Sequence, residues 1–171
     1  GGGPQAEWVP RAVEASLRRL GTDRLDLVYY HKPDSRTPIV DTLRVLGSLL
    51  ERGLVREIGC SNFTDRQLDA AAQAAGELGL HGFAVVENEY SLLEREPEGG
   101  DQAGEGTLAA ALRHDMAFVP YFPLASGLLS GAYRRGRPTP QGSRLGGDGR
   151  PADKVIGGGR MALKPDPEAL L

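Results

Sequence analysis

One period constrains this chain more than any other feature. Short apolar segments recur roughly every thirty residues, each separated from the next by a helical pattern. The segments are 25–30 (LDLVYY), 54–60, 83–87 (FAVVE) and 116–122. Between them run helix signals of several independent kinds. Residues 8–20 carry an apolar stripe through Trp8, Val13, Leu17 and Leu20, with Pro10 in a first turn and Gly21 as a stop. Thr37 and Pro38 read as N-cap and first residue of a second helix, with Ile39, Leu43, Leu46 and Leu50 as its buried stripe and Gly53 at its end. Thr64 with Gln67 makes a capping box for a third, striped by Leu68, Ala71, Ala75 and Leu78 and stopped at Gly79. A fourth helix spans about 107–114. Strands spaced this way with intervening helices make a parallel α/β sheet, and their apolar character predicts cover on both faces. Periodicity alone leaves open whether the sheet is flat or curls into a barrel.

Composition narrows the class of partner. The chain has 171 residues, a formal net charge of -3 and one cysteine, Cys60. That charge gives no footprint for nucleic acid or a membrane surface, and no apolar run is long enough for a transmembrane helix. No basic-then-apolar signal segment opens the sequence. A lone cysteine excludes an intrachain disulfide, and a reducing, cytoplasmic setting is expected. His31, His81 and His114 stand in separate connections without ligand spacing, so no metal site is expected. Glycine and proline, 24 and 12 residues, gather at the start, around 99–106 and beyond 136. The expected organisation is a flexible N-terminus over 1–7, a folded domain over 8–135 and a Gly/Pro-rich tail over 136–171.

In parallel α/β architectures ligands bind at the carboxyl ends of the strands. There this sequence places His31 and Asp34, then Ser61 and Asn62, then Glu87, Asn88, Glu89 and Tyr90, then Tyr121. His31 reads as a general acid, a proton relay or a donor to a carbonyl, or as a histidine that packs at a strand end. Ser61-Asn62 suits a planar amide and is equally ordinary turn chemistry. A carboxylate at Glu87 needs a donor or a wet pocket. Tyr121 suits stacking on a flat ring or a place in the core. His81 reads as exposed and His114 as structural. No GxGxxG, P-loop or GxSxG motif is present.

Four motifs carry a resemblance: SLRRLGTDRLDLVYYHKPD (16–34), VREIGCSNF (55–63), ENEYSLLER (87–95) and YFPLASGLLSG (121–131). In this order and spacing they closely resemble the aldo-keto reductases, over residues 11 to 137. The resemblance implies a (β/α)8 TIM barrel, here an incomplete one of four or five parallel strands with outer helices. It implies NADP(H) as cofactor and reduction of an aldehyde or ketone to an alcohol. His31 then corresponds to the histidine that orients the substrate carbonyl. Ser61 and Asn62 correspond to the pair that hydrogen-bonds the nicotinamide carboxamide, and Tyr121 to the aromatic stacked on the ring. Leu124, Ser126 and Leu128 resemble the loop over the cofactor pyrophosphate. Glu87 stands where the family usually has glutamine. The family's catalytic aspartate, tyrosine and lysine come from earlier strands and have no counterpart here, so a truncated chain with little activity of its own is expected. The alternative is an inactive half-barrel that binds nucleotide or self-associates through open sheet edges. Residues 154–158 faintly resemble an eighth strand, with Arg160 and Lys164 as remnants of a 2'-phosphate site; the alternative reading is a divergent tail with scattered basic residues.

Overall fold

A computed structural model describes residues 4–100 and 105–133, with side chains from Trp8 onward. Helix α1 (Pro4–Leu20) leads into β1 (Leu25–Tyr30), α2 (Ile39–Glu51), β2 (Val55–Ser61), α3 (Asp65–Glu77), β3 (Val85–Glu89), α4 (Gly106–Arg113) and β4 (Ala117–Tyr121). Short 3-10 turns cover Glu96–Glu98 and Ala125–Ser130. The chain divides into two compact units: Gly1–Tyr90 with Arg95–Tyr121, and Ser91–Glu94 with Phe122–Leu171. The expected tail, with residues 154–158, Arg160 and Lys164, lies outside the described residues.

The first unit is a four-stranded sheet in the order β1-β2-β3-β4, and every pair is parallel. That order settles what periodicity leaves open. Crossovers between parallel strands are right-handed, so a sheet that advances without reversing keeps its crossover helices on one side. A doubly wound sheet reverses at a switch point; this one does not, and it is the wall of a (β/α) barrel. The register joins Tyr29 to Gly59, Gly59 to Val85 and Val85 to Ala117 in one row. Two residues further toward the carboxyl ends, on the same face, a row joins Ser61, Glu87 and Val119.

Only one face carries the core. Ile58, Cys60 and Val86 are fully buried against Leu43, Leu49 and Leu68 from the helices. Each such side chain contributes about 1.5–3 kcal/mol by leaving water. On the other face Leu27 and Val119 are 37% and 38% exposed, and neither they nor Tyr29 and Val85 join that core. The expected cover on both faces is therefore corrected: apolar strand composition here supplies the inner wall of a barrel rather than a second helical layer.

Local signals also read differently in places. Helix α1 starts at Pro4, four residues before Trp8, which moves Pro10 from a first turn into the interior. Thr37 does not cap α2. Its hydroxyl donates to Asp34 Oδ2 at 3.0 Å, and Pro38 takes the N-cap position without a side-chain hydrogen bond. Leu49, not Leu50, is among the buried residues of α2. The Thr64 capping box is present in full, with Gln67 N–H donating to Thr64 Oγ1 and Thr64 N–H to Gln67 Oε1.

Cys60 sits at 0% exposure, and burial pushes its thiol up to about 12. A thiol at that value is not the nucleophile, its thiolate being scarcely populated at neutral pH. A maleimide or dithionitrobenzoate probe is expected to leave Cys60 unmodified in the native protein and to label it once denaturant opens the sheet. Rapid labelling without denaturant would show that β2 is not sealed.

In the second unit, Ala125, Leu128 and Tyr133 are buried together, with Leu93 and Leu129 packed on them. Ser91 opens the short segment: its Oγ accepts from Leu93 and Glu94 N–H, both at 3.1 Å. Phe122, Ala125 and Ser126 all have positive φ, 52°, 47° and 58°. Non-glycine residues adopt this conformation only where surrounding structure imposes it.

Candidate functional site

The strand tips of the first unit are linked by side-chain hydrogen bonds, and Asn62 is the hub. Its amide Nδ2 donates to the His31 carbonyl and to Ser61 Oγ, each at 3.0 Å. Its Oδ1 accepts from the Tyr121 hydroxyl at 2.8 Å. Its backbone N–H donates to the Glu87 carbonyl at 3.1 Å, and Ser61 Oγ donates to that same carbonyl at 2.7 Å. All four strands are thus tied through one residue. Asn62 reaches these partners from a left-handed backbone, φ 62°, a region that asparagine tolerates better than most residues.

The loop holding Asn62 is fixed from below. Phe63 is buried and lies edge-on to Tyr30 and to Phe83, with ring centroids 6.0 and 5.7 Å away. Asn88 clamps the Phe63 backbone: Phe63 N–H donates to Asn88 Oδ1 at 3.3 Å and Asn88 Nδ2 to the Phe63 carbonyl at 2.7 Å. Asn88 is a positioning residue to which the sequence alone assigns no role. Its one legible signal was an amide side chain at a strand end beside a turn.

The other predicted residues sort by where their side chains go. His31 is exposed at the tip of β1, and its carbonyl is what Asn62 holds. Ser61 is buried, while Asn62, Glu87 and Tyr121 are half-buried. Glu87 shares the uncovered face with Tyr29. Burial raises the Tyr29 phenol above its usual value, with the Glu87 carboxylate and then Cys60 adding to the rise. Gly59 makes this arrangement possible, because a Cβ there would lie 2.7 Å from Val85 and 2.9 Å from the Tyr29 ring. Asp34 does not join the network. It accepts from Arg36 N–H at 2.9 Å and from Thr37, which holds its carboxyl below the usual carboxylate range. Tyr90 turns away as well: its ring meets Phe118 edge-on at 5.8 Å and its hydroxyl donates to Glu98. Leu124 and Ser126 are exposed and half-buried in the second unit, and Leu128 is packed in its small core. A concavity of about 380 Å³ lies along β1 between α1 and α2, lined by Trp8, Val13, Val28 and Leu46 and meeting the strand tips only through His31 and Lys32.

His114 is structural, as the sequence suggests, and His81 is exposed. His114 Nε2 lies 2.6 Å from Asp69 Oδ1, and Arg113 adds a two-pronged contact at 2.9 and 3.1 Å, joining α4 to α3. The His114 hydrogen bond first, then that of Arg113, lowers the Asp69 carboxyl. A lowered folded value stabilises the fold above the unfolded carboxylate range, and that stability is lost as pH falls through the folded value. Asp69→Asn is therefore expected to lower the melting temperature by a degree or two at pH 7. The gap to the parent should narrow once pH falls below the unfolded carboxylate range and close below the lowered folded value. An unchanged gap at low pH would remove the carboxylate as its cause.

No group of histidine, cysteine or acidic side chains suited to a metal occurs among the described residues, and no helix among them is long and apolar enough to cross a membrane.

Comparison with known proteins gives a consistent answer. A model of the Aldo/keto reductase family matches residues 2–146. A probable voltage-gated potassium channel subunit beta of Arabidopsis thaliana is 32% identical over 134 residues, 78% of this chain and 39% of that protein. The aldo-keto reductase yakc of Schizosaccharomyces pombe, whose name specifies NADP(+), is 30% identical over 138 residues, 81% of this chain and 38% of that protein. Among solved structures, the glycerol dehydrogenase AKR11B4 from Gluconobacter oxydans superposes with a TM-score of 0.66 at 32% identity, covering 79% of this chain and 38% of that one. The chain thus spans about 39% of the length of the first curated relatives it matches.

Proposed function

The chain belongs to the aldo/keto reductase family, and from that premise we propose that its strand tips hold the nicotinamide end of NADP(H) in an enzyme that reduces an aldehyde or ketone to an alcohol. One observation supports this reading above the rest: His31, Ser61, Asn62 and Tyr121, drawn from three different strand ends, meet in a single hydrogen-bonded rim. Loops that merely turned would not need to share one amide.

The chemistry of the rim suits an amide ligand. Asn62 Oδ1 and Ser61 Oγ each keep an acceptor site after their protein contacts are made, and the Glu87 carboxylate adds acceptors only. These groups would receive the two N–H bonds of the carboxamide. Tyr121, anchored through its hydroxyl, would keep its ring in one plane against the nicotinamide. His31, exposed beside them, would donate a hydrogen bond to the substrate carbonyl oxygen and hold it in line. The bound nicotinamide supplies the hydride. Positioning of this kind is worth several kcal/mol, on the order of the effective-molarity effect. By the resemblance, Leu124, Ser126 and Leu128 of the second unit belong to a loop that covers a cofactor pyrophosphate; the Leu128 side chain is packed in that unit's small core.

The reading assigns no proton donor within this chain. Its activity alone is expected to lie about 10²–10⁴-fold below that of an enzyme with general acid catalysis. Titration of the chain with NADPH, followed by nicotinamide fluorescence, tests the reading. Saturable binding that Tyr121→Ala weakens is expected; no binding would end the cofactor assignment.

A second reading rests on the sheet edges. Among the described residues β1 and β4 each pair on one side only, and unpaired edges favour association. Light scattering would detect the resulting dimer, and a monomer at high concentration would exclude it.

A further inference from the structure

We propose that Glu87 biases this rim toward the oxidised, positively charged nicotinamide ring over the reduced, neutral one. The inference rests on the nicotinamide reading above and concerns which redox form the site prefers.

The polar hydrogens of the Asn62, Ser61 and Tyr121 side chains are already committed. Both hydrogens of the Asn62 amide are committed, one to the His31 carbonyl and one to Ser61 Oγ. The Ser61 hydroxyl hydrogen is committed to the Glu87 carbonyl. The Tyr121 hydroxyl hydrogen is committed to Asn62 Oδ1. What Asn62 and Ser61 still offer is therefore lone pairs. Each is an acceptor, and each presents partial negative charge to whatever binds.

Glu87 sharpens that sign. It stands in the same row as Ser61 and Val119, in the middle of β3 and level with the tip of β2 on the uncovered face, and is half-buried. A glutamine there would offer an N–H to an amide carbonyl and carry no charge; a glutamate offers neither a donor nor neutrality. Its carboxylate forms no ion pair among the described residues, and its neighbours on that face include the Tyr29 phenol, Ser61, Val119 and, two residues along β3, the Glu89 carboxylate. A half-buried carboxylate without a cation is costly to desolvate further, and a ligand that arrives neutral adds that cost. A ligand that brings a delocalised positive charge offsets it, because opposite charges at a few ångströms attract more strongly as water is displaced. The oxidised ring has that charge and the reduced ring does not. The remainder of the dinucleotide is the same in both, so the ratio of their affinities isolates the ring.

Isothermal titration of the full chain with NADP+ and with NADPH gives that ratio directly, without turnover. Glu87→Gln is expected to shift the ratio of dissociation constants about tenfold toward the reduced form. Glu87→Asp, which keeps the charge, should retain most of the parental preference. Melting curves of the three proteins confirm that each is folded. A ratio unchanged within about twofold in Glu87→Gln would overturn the proposal while leaving the cofactor reading intact. So would a Gln variant that weakens or tightens both forms equally, since the carboxylate would then act as a general contact. Absence of binding by both forms to the parent chain would overturn the cofactor reading and this inference with it.

Discussion

Replacing Gly106 with alanine is expected to destabilise the protein by about 3 kcal/mol or more, a fall in melting temperature on the order of 10 °C. Gly106 is the first residue of α4 and has φ +82°. A Cβ added there would lie 2.3 Å from the Gly99 nitrogen, 2.5 Å from the Pro97 carbonyl oxygen and 2.7 Å from the Glu98 carbonyl carbon. All three are backbone atoms of the turn packed against the helix start, and no rotamer change moves them aside. Gly79 provides the control. Its φ is +67°, yet nothing lies within 4 Å of its added Cβ. Gly79→Ala is thus expected to cost only the left-handed conformation, about 1 kcal/mol. Thermal or urea unfolding of the two variants separates the steric part from the conformational part. Equal losses would mean that the turn yields and that the close approach at Gly106 is not required.

That contrast also shows where sequence stops being informative. Both glycines were legible as breaks, and for Gly79 that is the whole story. The role of Gly106 depends on a turn seven to nine residues earlier folding back on it, a tertiary fact without a local pattern. The same division runs through the rest of the fold. Thr64 and Gln67 cap α3 through each other, three residues apart, so their reading needed nothing beyond the local sequence. Thr37 had an equally good local signal for capping α2, but Asp34 captured its hydroxyl. Apolar strands predicted burial correctly for Ile58 and Val86 and could not say that Leu27 and Val119 would line an inner wall. At the site, polarity at four strand ends was visible in the sequence. The sharing of one amide among them was not, and neither was Asn88, whose function is to hold the backbone beside it.

Asn62→Ala is expected to be the most damaging change at the strand tips, for reasons that two companion variants can separate. The side chain makes three hydrogen bonds, to the His31 carbonyl, Ser61 Oγ and the Tyr121 hydroxyl. Removing it leaves those groups to water or unpaired, at about 1 kcal/mol each where they are half-buried. Alanine must also hold φ 62°, which costs it about 1–2 kcal/mol more than glycine at such a position. A total loss of about 4–5 kcal/mol follows. Asn62→Gly loses the same hydrogen bonds but not the conformational part, so it should be the more stable of the two by about 1 kcal/mol. Asn62→Asp keeps an acceptor for Tyr121 and loses both donors, and it brings a second carboxylate near Glu87. It should retain more stability than alanine near pH 4, where the carboxylate is partly protonated, than at pH 7. For ligand binding the order differs, because freeing Tyr121 and the β1 tip disorders the rim in every one of these variants. All three should lose nicotinamide binding, including the glycine variant whose fold is least disturbed. Retention of parental binding by Asn62→Gly would show that the shared amide holds the strand tips together without shaping the site.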